Sequence, residues 1–388
     1  LKRMATLKFI DEAQREAAVA QKLVVREARR QTDVVAAYAA EMVRQTLFEK
    51  YGESVYSSGY KATTTLVRAH QEAANRALWN GVLDYDLRHP YRGPEARLVL
   101  EADPVARRAQ IADALAEHAP VNELLPAVVV ASGARALKVE FADGRTAELD
   151  SASQKWIASW IKAKKGRDLP VGAVVRAFPR GKGWRLAQLP EVEAALVALD
   201  PNSGAITALV GGFDFNKNKF NHVNQAWRQP GSSFKPFIYS AALERGFTPA
   251  TIVEDAPLTL AAEESGGTAW EPKNYDGSFN GPVRLRYALT NSLNLVSIRV
   301  LQGIGPQYAR DYARRFGFDP ARHPPYLTMA LGAGSVTPLQ MAAGYAVFAN
   351  GGLAVKPYLL AEVRDNQGRL LMKSTPPAFG QRVIDPRN

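Results

Sequence analysis

The apolar pattern predicts an α+β chain: helices at the start, a small all-β barrel inserted, then a sheet backed by helices. Three observations predict it. Up to about residue 95 the chain carries Ala-, Glu- and Arg-rich runs with apolar residues at helical spacing. Between roughly Glu95 and Val192, short β-branched runs alternate with Gly and Pro breaks. After Val192, strand-like and helix-like runs alternate to Asn388. A chain of 388 residues has room for about two or three such domains, each with its own core.

Residues 1 to about 30 read as helix, with the apolar pair Phe9-Ile10 ahead of Asp11 as a cap. Tyr38 to Tyr51 reads as an amphipathic helix burying Met42, Leu47 and Phe48, with Gly52 near its C-terminal end. The β-branched run Tyr60–Leu66 reads as a strand, and a further helix spans about Ala69 to Leu83. Tyr91-Arg92-Gly93-Pro94-Glu95 closes this part with turn chemistry.

Strand candidates follow at Ala127–Ala131, Leu137–Phe141, Thr146–Leu149, Val171–Phe178 and Trp184–Leu189, with Asp143-Gly144 as a hairpin turn. Short strands at this spacing suggest a barrel of the oligonucleotide/oligosaccharide-binding (OB) type, occupying residues 96–191. Its second half is basic. Lys155, Lys162, Lys164, Lys165, Arg167, Arg176, Arg180, Lys182 and Arg185 face only Asp168, with Trp156, Trp160, Phe178 and Trp184 interleaved. A basic groove with aromatic platforms binds single-stranded nucleic acid, so a non-catalytic binding module is the rival function. The reading preferred here makes the aromatics core and the lysines solvated.

In the C-terminal half, Ala195–Asp200 and Ile206–Val210 form strands joined by Pro201-Asn202-Ser203-Gly204, whose glycine supplies positive φ. A polar loop, Asn216–Asn224, leads to a helix with Phe237, Ile238, Ala241 and Ala242 on its apolar face. The loop Trp270–Asp276 offers no chemistry that assigns its residues. Val283–Leu289 and Leu295–Gln302 read as helices around Ser292-Leu293-Asn294. Thr337-Pro338-Leu339-Gln340 is a capping box with proline at the first helical position, opening a helix to Asn350-Gly351-Gly352.

Composition excludes some functions. There is no cysteine, so disulfides and thiolate metal or redox sites are ruled out. His70, His89, His118, His222 and His323 lack metal-ligand spacing, so they are not expected to hold a metal. No apolar run is long enough to span a membrane, and no signal peptide is visible. The net charge of +11 implies attraction to anionic surfaces. The chain opens at Leu1, as expected of a piece of a longer polypeptide.

The chemistry concentrates at Ser232 and Lys235. One turn of helix places both on one face, about 5 Å apart at Cβ. A buried lysine that has lost its proton can take one from a serine hydroxyl. Pro236 has no N–H to give a helix, so it belongs to the first turn, and Ser232 sits at the N-terminus among free N–H groups. By itself Ser-x-x-Lys arises by chance about once in a chain this long. The second element, Ser292-Leu293-Asn294, changes that, because the pair occurs together in serine β-lactamases and penicillin-binding proteins.

The flanks carry the resemblance further. Arg228-Gln-Pro-Gly-Ser-Ser-Phe-Lys-Pro-Phe-Ile238 and Tyr287-Ala-Leu-Thr-Asn-Ser-Leu-Asn-Leu-Val296 closely resemble the two motif segments of class A (bifunctional) penicillin-binding proteins. The OB-like insert points to their Gram-negative 1A branch. The resemblance implies the penicillin-binding transpeptidase fold, an antiparallel sheet flanked by helices. Residues 1–30 would be the end of a preceding glycosyltransferase domain, 31–95 a linker and the start of the transpeptidase, and 192–388 its remainder. Ser232 would be the nucleophile and Lys235 the base, a role debated across the superfamily. Ser292 would bridge Lys235 to the leaving nitrogen, and Asn294 would hold the donor amide and the ammonium. The backbone N–H of Ser232 would donate to the oxyanion. The implied substrate is the D-Ala-D-Ala end of a peptidoglycan stem peptide, the acceptor an amine on a neighbouring stem, and β-lactams would acylate the same serine. The serine acyl-transfer chemistry that the resemblance implies requires neither metal nor organic cofactor. The implied location is the periplasmic side of the bacterial inner membrane, with a membrane anchor in the intact protein, other cell-wall proteins as partners of the insert, and no nucleic acid.

One departure stands out. No Lys-Thr-Gly or Lys-Ser-Gly triplet occurs, although the match runs unbroken to Val383–Asn388, the segment that precedes it in the family. A chain that continues further is expected, ahead of a separate polypeptide or a non-catalytic protein, and this stretch alone is expected to be inactive. D,D-Carboxypeptidase or β-lactamase-like hydrolysis is the alternative within the class. The sequence shows no clear deacylating carboxylate; Glu271 lies in a region that could supply one, but no motif supports it.

Overall fold

The computed structural model describes residues 1–20, 33–133, 137–164, 169–375 and 380–388. Two compact units emerge, Leu1–Val35 and Ala36–Asn388. In the first, α1 (Lys2–Thr6) and α2 (Glu12–Ala20) replace the single helix expected. Lys8 breaks it with a φ of +58°, and Asp11 then caps α2 by accepting from the Gln14 backbone N–H at 2.7 Å. Residues 21–30 of that expectation lie outside the described residues.

The second unit opens with α3 (Ala37–Tyr51), β1 (Lys61–Thr64) and α4 (Arg68–Leu87), the last a turn longer than its pattern suggests. Phe48, expected in the core, is exposed against Tyr56. Tyr38, Ala39 and Leu47 are the buried residues of α3 instead.

The insert contains β2 (Ala96–Arg97), α5 (Pro104–Ala116), β3 (Leu125–Ser132), β4 (Leu137–Phe141), β5 (Thr146–Glu148), α6 (Ser151–Ala163), β6 (Ala173–Arg180) and β7 (Gly183–Ala187). The predicted strands are there, and the turn after β4 has Gly144 at φ +79°. Pairing is antiparallel in the order β7-β6-β3-β4-β5, with β2 on the edge of β6. A parallel bridge between Leu149 and Trp184 closes the ring. Ala127 and Val129 of β3 enter the barrel core, while Val128 turns outward beneath Ile111 and Leu115 of α5. Asp103 and Asp150 cap α5 and α6, helices the strand pattern did not announce.

The tryptophans of the insert are half-buried and pack against its core, and Phe178 is buried outright. Trp156 and Trp160 pack on Tyr91 at 5.2 and 5.7 Å, Trp184 on Phe141 at 4.5 Å, and Phe178 is buried against Trp79. Arg176 is buried and paired with Glu95, and Arg185 pairs with Asp150. Lys155, Lys162 and Lys164 are exposed, whereas Lys165, Arg167 and Asp168 lie outside the described residues.

The rest builds the mixed helix-and-sheet domain that follows the insert. The strands β8 (Leu196–Leu199) and β9 (Ile206–Val210) pair antiparallel. Ala208 and Val210 face α4, while Ile206 and Leu209 face Tyr38 and Ala39 of α3. Then come α7 (Lys235–Glu244), β10 (Ile252–Asp255), α8 (Ala262–Ser265), β11 (Gly281–Arg284), α9 (Leu285–Thr290), α10 (Asn294–Ile304), α11 (Pro306–Arg314), α12 (Pro338–Ala349), β12 (Leu360–Arg364) and β13 (Leu370–Lys373). Val283, expected to start a helix, belongs instead to β11, where it pairs with Val253 of β10. That pairing is non-local, so no window of sequence displays it. The apolar faces of α7, α10 and α11 meet in the largest core, with Phe234, Phe237, Phe316 and Phe318 in mutual contact. Thr337 caps α12 reciprocally with Gln340, as its sequence predicts.

Candidate active site

A short 3-10 turn, Gly231–Phe234, runs straight into α7 with Pro236 in the first helical turn. Phe234 and Phe237 anchor this junction in the core, both essentially buried. The approach is tied down by paired backbone hydrogen bonds between Arg228 and Val336, each 3.0 Å. Gly332, at φ +73°, lies so close that a Cβ there would overlap the Gly231 backbone. Tyr345 of α12 donates to the Ser233 carbonyl at 2.8 Å.

The two serines of the turn differ. Ser233 donates its hydroxyl to the Pro230 carbonyl at 2.5 Å. Ser232 is exposed, and among the described residues its hydroxyl has no hydrogen-bond partner. It is therefore the hydroxyl free to react.

Lys235 is 1% exposed, unusual for a lysine. Its Nζ donates to Ser292 Oγ at 3.0 Å, to the Ser292 carbonyl at 2.6 Å and to Asn294 Oδ1 at 2.8 Å. Burial alone lowers its ammonium to about 8. Ser292 adopts φ +53°, a left-handed conformation rare outside glycine. That single residue thereby turns both its carbonyl and its hydroxyl to the same ammonium. Asn294 is the first residue of α10, so the second motif ends in the helix and not in the connection before it.

Three of the four expected site residues thus meet at one ammonium, with Ser232 one turn ahead of it. Glu271 is exposed, and among the described residues it makes no hydrogen bond or ion pair. Sequence reasoning missed Asn274. This buried side chain accepts from the Asn294 backbone N–H at 2.8 Å, in a helix whose own N-cap, Leu293, has no side-chain oxygen to offer. Behind it lies Asp255, fully buried and hydrogen-bonded to both Asn274 and Asn280. No local motif marks either residue.

Residues 194–388 match the penicillin binding protein transpeptidase domain, and residues 91–192 match the penicillin-binding protein OB-like domain. Penicillin-binding protein 1A of Neisseria lactamica is 42% identical over 394 residues, covering 100% of this chain and 49% of that protein. The Escherichia coli penicillin-binding protein 1A is 41% identical over 88% of this chain and 41% of its own. The crystal structure of penicillin-binding protein 1A from Haemophilus influenzae superposes with a TM-score of 0.85 at 35% identity, over 97% of this chain and 55% of that one. The chain spans about half the length of the curated relatives it matches.

Proposed function

Since the chain belongs to the penicillin-binding proteins of the 1A type, with a transpeptidase domain and an OB-like domain, we propose that it is the serine D,D-transpeptidase part of a bifunctional peptidoglycan synthase. The observation that carries this reading is the buried Lys235, held at Nζ by Ser292 and Asn294 one turn after an unengaged Ser232 hydroxyl.

Lys235 in its neutral form takes the proton from Ser232 Oγ, which attacks the carbonyl carbon of the penultimate D-Ala of a stem peptide. Burial is what makes that neutral form accessible near physiological pH. The backbone N–H of Ser232, in the first turn, stabilises the oxyanion. The C–N bond then breaks, and the leaving D-Ala nitrogen receives the proton from Lys235 through Ser292 Oγ, the group already 3.0 Å from Nζ. Asn294 holds the donor amide while its Oδ1 stays on the ammonium. An amine on a neighbouring stem attacks the resulting ester, closing the cross-link and freeing Ser232. β-Lactams enter by the same first step and remain on the serine.

Residues 1–30 are assigned to the end of a glycosyltransferase domain, 31–95 to the linker and start of the transpeptidase, 96–191 to the OB-like insert and 192–388 to the transpeptidase. The active site is assigned to the periplasmic side of the inner membrane, with its membrane anchor outside residues 1–388; no described helix is long and apolar enough to cross a bilayer. The test is covalent labelling of a chain extended through the family's third motif. A β-lactam should add one adduct, on the peptide carrying Ser232. No adduct, or one on Ser233 or Ser292, overturns the assignment.

A further inference from the structure

An asparagine amide has one donor end and one acceptor end, and without fixed partners the two orientations differ little in shape. In this site the orientation matters, because only Oδ1 of Asn294 can accept from the Lys235 ammonium. The structure holds that orientation through a directed chain of hydrogen bonds that starts well behind the site. We propose that Asp255 and Asn274 are positioning residues that set which way Asn294 faces Lys235, and so hold the lysine on the line from Ser232 to Ser292.

The chain of partners is one-directional. Asp255, at the end of β10, is an acceptor only. It takes the Asn274 Nδ2 donor at 2.9 and 3.0 Å, the Asn280 Nδ2 donor at 2.7 Å and the Asn280 backbone N–H at 3.0 Å. With its donor end so committed, and shared with the Ser278 carbonyl at 2.9 Å, Asn274 must turn Oδ1 toward α10. There it accepts from the Asn294 backbone N–H at 2.8 Å, an otherwise orphan donor of the first helical turn. The Asn294 side chain is then held from both ends: Nδ2 donates to the Lys273 carbonyl at 2.8 Å, leaving Oδ1 for Lys235 at 2.8 Å. Lys273 and Asn274 are neighbours, so one short segment grips Asn294 by backbone and side chain together.

Burial argues that this is more than packing. Asp255 is 0% exposed and Asn274 5% exposed, and among the described residues no cation pairs with Asp255. Burying a carboxylate against amide donors alone is expensive compared with an apolar residue of similar volume. A site that must present one end of an amide gains from an acceptor-only group what an apolar residue cannot supply.

The inference rests on Lys235 acting as proposed above, and its test separates the two. The isosteric Asp255→Asn change places an amide where only an acceptor fits, which frees Asn274 and Asn294 to flip. In the 388-residue chain labelled with 13C at lysine Cε, the Lys235 midpoint should fall by about half a pH unit or more, since its ammonium loses a held acceptor. Asp255→Asn also removes a buried charge, so the charge-neutral Asn274→Leu variant, which breaks the relay and leaves Asp255 in place, should move the midpoint in the same direction; an unmoved midpoint there assigns the Asp255→Asn shift to the lost charge and overturns the proposal. In the extended chain, acylation by a β-lactam should drop about tenfold or more. A folded Asp255→Asn protein with an unmoved Lys235 midpoint and acylation within about twofold of the parent overturns the proposal. Should that variant not fold, amide hydrogen exchange in the unmutated chain decides: protection at Asn294 supports the Asn274 cap, and free exchange there rejects it. Failure of the unmutated extended chain to acylate at Ser232 would refute the transpeptidase reading while leaving the midpoint shift to judge the positioning.

Discussion

Burying Lys235 penalises its charged form, and the sign of that penalty is measurable. The folded ammonium titrates near 8, whereas an unfolded lysine titrates near 10.5. Between those values the unfolded chain binds more protons, so stability rises as pH climbs from about 8 to about 10.5. The full effect is up to about 3 kcal/mol, and below pH 8 all of that penalty is felt. Replacing Lys235 with Met removes this dependence. The stability difference between parent and Lys235→Met proteins should therefore change across pH 8–10.5 and stay flat below it, as followed by denaturant unfolding. The same substitution should lower acylation in the extended chain by about 10²–10⁴ or more, because the base is gone. A Lys235→Met protein that acylates near the parental rate would assign the base elsewhere. In the parent, acylation should rise with pH toward a plateau above about 8.

At the scale of elements, the reactive turn is positioned from outside its own sequence. Gly332 lies against the Gly231 backbone, and its φ of +73° suits glycine only. Gly332→Ala therefore meets both a strained backbone and a direct overlap with the turn that carries Ser232. It should destabilise the fold by about 2 kcal/mol or more and reduce β-lactam acylation in parallel. Thermal melts and labelling of the same preparation check this. Normal labelling with an unchanged melt would show that the two segments separate easily. The left-handed Ser292 is the converse case, a strained non-glycine residue retained where both of its oxygens face Lys235.

Across the whole molecule, the basic insert tests the choice between enzyme and binding module. Its tryptophans pack on Tyr91 and Phe141 in place of forming an open platform, and Arg176, Arg180 and Arg185 of the basic stretch are all paired with carboxylates. Single-stranded DNA should accordingly bind weakly and be lost at physiological salt, since among the described residues of the basic stretch it is the lysines, not the arginines, that remain unpaired. Trp184→Ala should instead destabilise the protein by about 2 kcal/mol, below the cost of emptying a fully buried aromatic site because Trp184 is half-buried. A salt-resistant DNA complex abolished by Trp156, Trp160 or Trp184 substitution would make the barrel a nucleic-acid site.

The features legible in sequence are those whose causes are local. Pro236 placed the start of α7, the Thr337–Gln340 pair marked the cap of α12, and Asp143-Gly144 placed the turn after β4. Strand alternation revealed the barrel, and the two serine motifs singled out Ser232, Lys235, Ser292 and Asn294 before any contact was known. Tertiary structure alone decided that β11 pairs with β10, that Phe48 faces out, and that Asn274 caps α10 from twenty positions upstream. It alone decided that Ser233 is engaged while Ser232 is free, and how deeply Lys235 is buried, which depresses its ammonium. The division has one physical reason. Helical period, turn geometry and capping act over a few residues and leave their mark in a short window. Burial and the hydrogen bonds among Asp255, Asn274 and Asn294 join segments far apart in the chain, and they exist only once packing has brought those segments together.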